Sequence, residues 1–287
     1  MKVTFYGVRG SVPSPCLENV RYGGNSSCTT VRTLDGTLIV LDAGTGLREL
    51  GKQLLAEGVP STIHLLITHG HWDHIMGIPF FAPIYRPDVC LRFYAYTPQQ
   101  LAAQQQMIMF HEGHFPVPAE RLPARIERIL RSGQSRPEEG AEIGSARVTR
   151  IALNHPGGAS GYRIDDADGS SLCYLTDNEL VPPGAVTTPP ADLARFAQGA
   201  GLIIHDAQYL PEDMPHKHGW GHSLVDQVLE LGRQAEARAL ALYHHDPDRD
   251  DDALDRIAAH ATAWTEAHAP AMRALVAAER VTLDVKG

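Results

Sequence analysis

The stretch Thr68-His69-Gly70-His71-Trp72-Asp73-His74 sets the strongest limit on what this chain can be. It follows Ile63–Thr68, a continuous apolar run that reads as a strand buried on both faces. Four groups able to ligate a cation fall within six residues, in the pattern HxHxDH. On a helix, positions i and i+2 do not share a face. On a strand they do, but the neighbours Asp73 and His74 would then point apart. A loop wrapped around two ions satisfies all four: His69 and His71 hold one cation, Asp73 and His74 the other. Imidazole and carboxylate donors suit zinc, with manganese or iron as alternatives.

Around this loop, short strands alternate with helices. Val3–Val8, Cys28–Thr33 and Thr37–Asp42 read as strands, with Asp35-Gly36 as a hairpin turn. Leu47–Leu55 has helical spacing and stops near Gly58-Val59-Pro60. Leu91–Tyr96, Val148–Leu153, Gly161–Ile164, Ser171–Leu175, Leu202–Asp206 and Ala239–Tyr243 are further expected strands. Val181–Pro190 reads as a Pro-rich connection. Leu224–Gln234 is an expected helix with Ser223 as its N-cap, and Asp251–Ala267 another whose acidic start suits the helix dipole. Residues 98–140 differ in character, with Pro116, Pro118, Pro123 and Pro137 among scattered charges, and read as a flap or insertion over the core. The expected organisation is one domain over 1–287, of α/β class, with two sheets and helices outside.

The motifs resemble a known family. HxHxDH after a strand is similar to the signature of the metallo-β-lactamase superfamily, an αββα four-layer sandwich with its site at the sheet edges. Gly7-Val8-Arg9-Gly10-Ser11, Gly23-Gly24-Asn25-Ser26-Ser27-Cys28, Leu41-Asp42-Ala43-Gly44-Thr45-Gly46 and Gly77-Ile78-Pro79-Phe80-Phe81 extend the resemblance nearly end to end. They look like the branch of cyclic-phosphate and cyclic-nucleotide phosphodiesterases and tRNA 3′-processing endonucleases. The resemblance implies His155 as a third histidine for the first metal, Asp177 as a bridging carboxylate and His244 as the last ligand of the second. His245 is adjacent, so the choice between them stays open at this point. Asp42 would sit behind the ligand loop as an acceptor, or serve as a turn residue. Ile203-Ile204-His205-Asp206-Ala207-Gln208 and Gly219-Trp220-Gly221-His222-Ser223 resemble the endonuclease branch's His-Glu-Ala-Thr and Gly-His-Ser-Thr motifs. Asp206 would orient His222, and His222 would protonate the leaving oxygen. Aspartate in place of glutamate shortens that reach by one methylene.

The expected function is therefore a dinuclear-metal phosphodiesterase for a small phosphodiester, such as a cyclic nucleotide or sugar cyclic phosphate. Asp73, Asp206 and His222 are its expected catalytic residues. A lactonase, thioesterase or β-lactamase-like acyl hydrolase and an RNA-processing nuclease are the alternatives. Nucleic acid is not favoured: the formal charge is −9, and the protruding basic, glycine-rich arm of the tRNA enzymes has no counterpart here. Arg121, Arg125, Arg128 and Arg131 alternate with Glu120 and Glu127, as on a solvated face. His111, His114, Phe115, Pro116 and Val117 could close over a base or sugar. Without a signal core, an apolar run of roughly 20 residues or a CxxC pair among the four cysteines, a reducing cytoplasmic setting is the default. The chain is compatible with a homodimer.

Overall fold

The computed structural model describes residues 1–95, 115–130, 140–214 and 216–287. The first sheet comprises β1 (Lys2–Gly7), β2 (Cys28–Arg32), β3 (Leu38–Leu41), β4 (Thr62–Leu66), β5 (Cys90–Ala95) and β6 (Arg125–Leu130), with β14 (Thr282–Asp284) beyond β1. The second runs in chain order through β7 (Ala141–Ile143), β8 (Ala146–Leu153), β9 (Ala159–Asp166), β10 (Ser171–Leu175), β11 (Leu202–Asp206), β12 (Ala239–Tyr243) and β13 (Arg273–Val276). Each sheet is mixed. β1 to β3 and β7 to β10 pair antiparallel, whereas β3 to β6 and β10 to β13 pair parallel.

Strand alternation explains the layers. On β3, Ile39 and Leu41 enter an inter-sheet core with Val3, Phe5 and Val31, opposite Tyr162, Ile164, Tyr174 and Ile204. Leu38 and Val40 face the other way, onto Leu47, Leu50 and Leu54 of α1 (Gly46–Glu57). Behind the second sheet, Leu175, Ile203, Leu240 and Leu242 pack against α2 (Pro190–Phe196), α3 (Val225–Gln234) and α4 (Asp251–His268) through Leu193, Val228, Leu229 and Leu254. The order is helix, sheet, sheet, helix, as expected. Asp250 caps α4 by accepting from the Ala253 N–H, a contact worth about 1 kcal/mol.

The expected elements lie within two residues of the observed ones, the usual uncertainty at element ends. Four strands were not anticipated: β6, β7, β13 and β14. Of the expected flap, residues 125–130 are instead β6, paired parallel with β5 and tied to it by Arg92–Glu127 at 2.7 Å. Its apolar residues do not alternate with the charged ones: Ile126 packs on the helix-side cluster and Ile129 on the inter-sheet core, on opposite faces of the strand. His111, His114, Arg131 and Pro137 lie outside the described residues. The Pro-rich connection ends in α2, where Pro190 suits the first turn because its missing N–H is not needed there. Ser223 does not cap α3: its hydroxyl donates to the Asn178 carbonyl and accepts from the Leu180 N–H, and Leu224 takes the N-cap position. All four cysteines are free thiols, with Cys16 exposed and the rest buried. Among the described residues no helix is long and apolar enough to cross a membrane.

Candidate metal centre

The side chains of the centre leave the carboxyl ends of strands. Asp42 follows β3, His69 to His74 follow β4, His155 follows β8, Asp177 follows β10, Asp206 ends β11 and His244 follows β12. Crevices beyond the carboxyl ends of parallel strands are where α/β folds place ligands. At Asp42, Asp177 and His244 the chain turns with φ of 59°, 61° and 58°. This left-handed conformation costs a non-glycine residue roughly 1–2 kcal/mol. Three such residues at one crevice mark strain held by the surrounding fold for the sake of side-chain direction.

The side chains converge in two groups. In the first, His69, His71, His155 and Asp177 each offer a ligand atom, all within 4.8 Å of one another; Asp73, His74, Asp177 and His244 do the same in the second. Asp177 joins them, its Oδ2 lying 3.5 Å from His69 Nε2 and 3.6 Å from His155 Nε2, its Oδ1 3.2 Å from His74 Nε2 and 3.1 Å from His244 Nε2. Asp73 Oδ2 is 3.1 Å from both His74 Nε2 and His244 Nε2.

These separations fit a cation. Donors held about 2.0–2.1 Å from a tetrahedral ion lie about 3.3 Å from each other. Ring nitrogens also face one another, His71 Nδ1 and His155 Nε2 at 3.0 Å and His74 Nε2 and His244 Nε2 at 3.2 Å. His69 Nε2 is buried with no hydrogen-bond partner. A buried polar atom left unpaired is costly, and two cations, one in each group, would satisfy these nitrogens. The two groups are consistent with a dinuclear metal centre. His245 turns away, with Nε2 bonded to the Ala277 carbonyl at 2.8 Å, and His244 is the residue in the group.

The opposite ring nitrogens are held by acceptors, which fixes the tautomer and leaves the inward lone pair free. His74 Nδ1 lies 2.8 Å from Asp42 Oδ2, His155 Nδ1 3.0 Å from the Gly221 carbonyl, and His244 Nδ1 3.0 Å from Gln208 Oε1. His69 Nδ1 is 3.0 Å from Thr68 Oγ1. Asp42, fully buried, also accepts from the Thr68 N–H, the Thr68 hydroxyl and the Tyr174 hydroxyl. Gly221 has to be glycine: its φ is 90°, and a Cβ would stand 2.2 Å from His155 Nδ1. The Gly7–Ser11 segment closes the far side. The Ser11 N–H donates to Asp73 Oδ2 at 2.8 Å, and the buried Arg9 guanidinium ties the Gly23, Asp246 and Arg249 carbonyls together.

Charge supports ligation. Burial pushes Asp177 toward its acid form, but His244, His74 and His69 outweigh this and hold it well below the usual carboxylate range. Burial keeps His69, His71 and His155 neutral. Burial opposes a charge on His74, yet Asp177, Asp73 and Asp42 raise it well above its usual value, a surplus of negative charge that a cation would offset.

Beside the second group, His222 stacks on His244 with ring centroids 5.0 Å apart. Its Nδ1 lies 3.1 Å from Asp206 Oδ2, so the shorter acid reaches it directly. Asp206 is fully buried and also accepts from the Asn178 and Ser223 N–H groups. Burial lowers the His222 pKa, but the bond to Asp206 and the nearby carboxylates raise it overall, favouring the proton-bearing form. Gln208 and Glu179 were missed in the sequence. Gln208 bridges His244 and the Ser11 hydroxyl, while Glu179 accepts from the Gly219 and Gly221 N–H groups at 2.9 Å each. Glu179 lies two residues beyond Asp177, and that proximity is its sole signal in the sequence.

Residues 37–245 match the profile of the β-lactamase superfamily domain. The ribonuclease Z of Haloarcula marismortui is 24% identical over 286 residues, covering 85% of this chain and 86% of that protein. Human tRNase Z, short form, superposes with a TM-score of 0.65 at 19% identity, covering 100% of both chains. A diphosphatase of the PhnP family superposes at 0.67 with 18% identity, covering 99% of this chain and 97% of the other. With its two mixed sheets, flanking helices and paired His/Asp groups, the chain belongs to the metallo-β-lactamase superfamily, and the proteins it resembles include ribonuclease Z and PhnP-family enzymes.

Proposed function

We propose that this protein is a dinuclear-metal phosphodiesterase acting on a small phosphodiester, a cyclic nucleotide or sugar cyclic phosphate. The observation that carries the reading is His222, held by buried Asp206 at 3.1 Å and stacked on His244. An alkoxide is a poor leaving group and needs a proton from a placed acid; a thiolate does not. With Nδ1 bonded to Asp206, Nε2 is the nitrogen that delivers the proton to the departing oxygen. Two divalent cations, zinc being the best match to the donors, would neutralise phosphoryl charge and supply hydroxide at neutral pH. His69, His71 and His155 would hold the first, Asp73, His74 and His244 the second, and Asp177 both. Asp73 also fixes the second cation's side of the crevice through the Ser11 N–H.

The net charge of −9 supports a small substrate over a long polyanion. The ribonuclease Z relatives, matched over most of their length, support RNA 3′-processing as the second reading. The deciding experiment is a turnover panel on zinc- or manganese-loaded protein: cyclic AMP, a ribose cyclic phosphate, a precursor tRNA, a lactone and a thioester. Cyclic phosphodiester turnover is expected to dominate. Acyl hydrolysis without phosphodiester turnover would sink the proposal, and cleavage of precursor tRNA alone would replace it with the second reading.

A further inference from the structure

Two exposed tryptophans neighbour residues of the centre in the chain, and the hydrolytic chemistry above uses neither. Trp72 is 79% exposed and Trp220 61%. Trp72 sits between His71 and Asp73; Trp220 precedes Gly221, whose carbonyl holds His155 Nδ1. His71 is the exposed residue of the first group and meets the buried His155 side chain at 3.0 Å, whereas the second group is buried throughout. Both tryptophans therefore belong to loops at the side of the centre where exposed His71 lies.

Their backbones are held firmly. The Trp72 carbonyl accepts from the Ile75 and Met76 N–H groups within a 3-10 turn. Around Trp220, buried Glu179 uses both carboxylate oxygens on Gly219 and Gly221. Buried Glu179 thus fixes the backbone on both sides of Trp220 as well as the Gly221 that holds His155. The third tryptophan, Trp264, instead packs on the apolar cluster behind the second sheet and stacks on His268. Single exposed apolar side chains are ordinary on protein surfaces. Here two exposed indoles on anchored backbone flank two adjacent ligand residues. Aromatic faces of this kind bind planar bases by stacking.

We propose that Trp72 and Trp220 form a stacking platform selecting phosphodiesters that carry a planar base over ring-free sugar phosphates. This deepens, and rests on, the phosphodiesterase reading. The test has two arms. In the first, 5′-AMP and ribose 5-phosphate are titrated into wild-type protein and a Trp72→Ala/Trp220→Ala variant while tryptophan fluorescence is read. AMP is expected to quench the wild type, ribose 5-phosphate to leave it unchanged, and the residual Trp264 emission of the variant to be insensitive to both. In the second, the kcat/KM ratio of cyclic AMP to ribose cyclic phosphate is compared across variants. It should fall roughly 5- to 150-fold per ring removed, with most of the change in KM. Circular dichroism shows whether these surface variants fold. Equal quenching by the two ligands, or an unchanged ratio, overturns the proposal. Absence of any phosphodiester turnover refutes the function reading instead, and the fluorescence arm still decides whether a base is stacked.

Discussion

Asp42→Asn tests the architecture of the centre with almost no change of volume. Asp42 Oδ1 accepts from the Thr68 N–H at 2.8 Å, while Oδ2 faces His74 Nδ1 at 2.8 Å and the Tyr174 hydroxyl at 3.1 Å. An asparagine must place its NH2 on one side or the other. On the Oδ1 side it meets a backbone donor that cannot change role, leaving buried groups unpaired at about 1–3 kcal/mol. On the Oδ2 side, His74 has to accept at Nδ1 and carry its proton on Nε2, the nitrogen 3.1–3.2 Å from Asp73, Asp177 and His244. That proton occupies the lone pair a cation needs. Loss of such a supporting acceptor weakens metal binding about 10- to 100-fold, or about 1.4–2.8 kcal/mol. The first group has no contact with Asp42 except through Thr68 and His69, so the loss should concentrate in the second ion. Competition against a chromogenic chelator reads this directly: the wild type releases two equivalents together, and the variant releases one of them at lower chelator concentration. Denaturant unfolding of the metal-free forms reads the folding penalty separately. If the variant keeps both equivalents with wild-type affinity, the tautomer argument is wrong.

Replacing His222 by Ala should cost about 10²–10⁴-fold with alkoxide leaving groups and far less with a nitrophenyl diester, measured as paired kcat/KM values; equal losses would refute its acid role. Gln208→Leu removes the acceptor at His244 Nδ1 and should weaken one metal equivalent about 10- to 100-fold, seen by calorimetric titration of the metal-free protein; unchanged binding would remove Gln208 from the support of the second group. A fourth prediction lies away from the centre. His64 is buried beside Tyr94, and burial, with Arg92 nearby, pushes its pKa down to about 4. The unfolded chain then binds more protons than the folded one between about pH 4 and 6.5, so stability is lost as the pH falls through that window. His64→Gln should flatten that part of the pH profile of metal-free unfolding, and a profile of unchanged slope would show that His64 is not its source.

The ligand loop was legible because its donors are contiguous: four ligating groups directly after one apolar strand have little use except to hold cations. The strands carrying Asp177 and His244 were legible from their apolar runs, since both lie inside the second sheet. β6 was obscured because its sequence is short, charged and without alternation, and a parallel edge strand declares itself only through its partner β5. Ser223 looked like a cap because it precedes a helix, but its hydroxyl is taken by Asn178, 45 residues earlier in the chain.

Sequence by itself determined which chemistry was available: imidazoles and carboxylates at strand ends, in an order shared with a known superfamily. Tertiary structure decided which atoms meet. His244 was favoured over its neighbour His245 only by resemblance, and the positive φ at His244 and the Ala277 carbonyl at His245 separate the two. Gln208 reaches His244 because β11 and β12 lie side by side and bring their carboxyl ends to one crevice, and Asp206 reaches His222 because the backbone bonds of Tyr209 to Ser223 and Val225 fold that loop back onto the end of β11. A sequence records the donors; the geometry that pairs them comes from sheet register and backbone direction, which are set by the packing of the whole core.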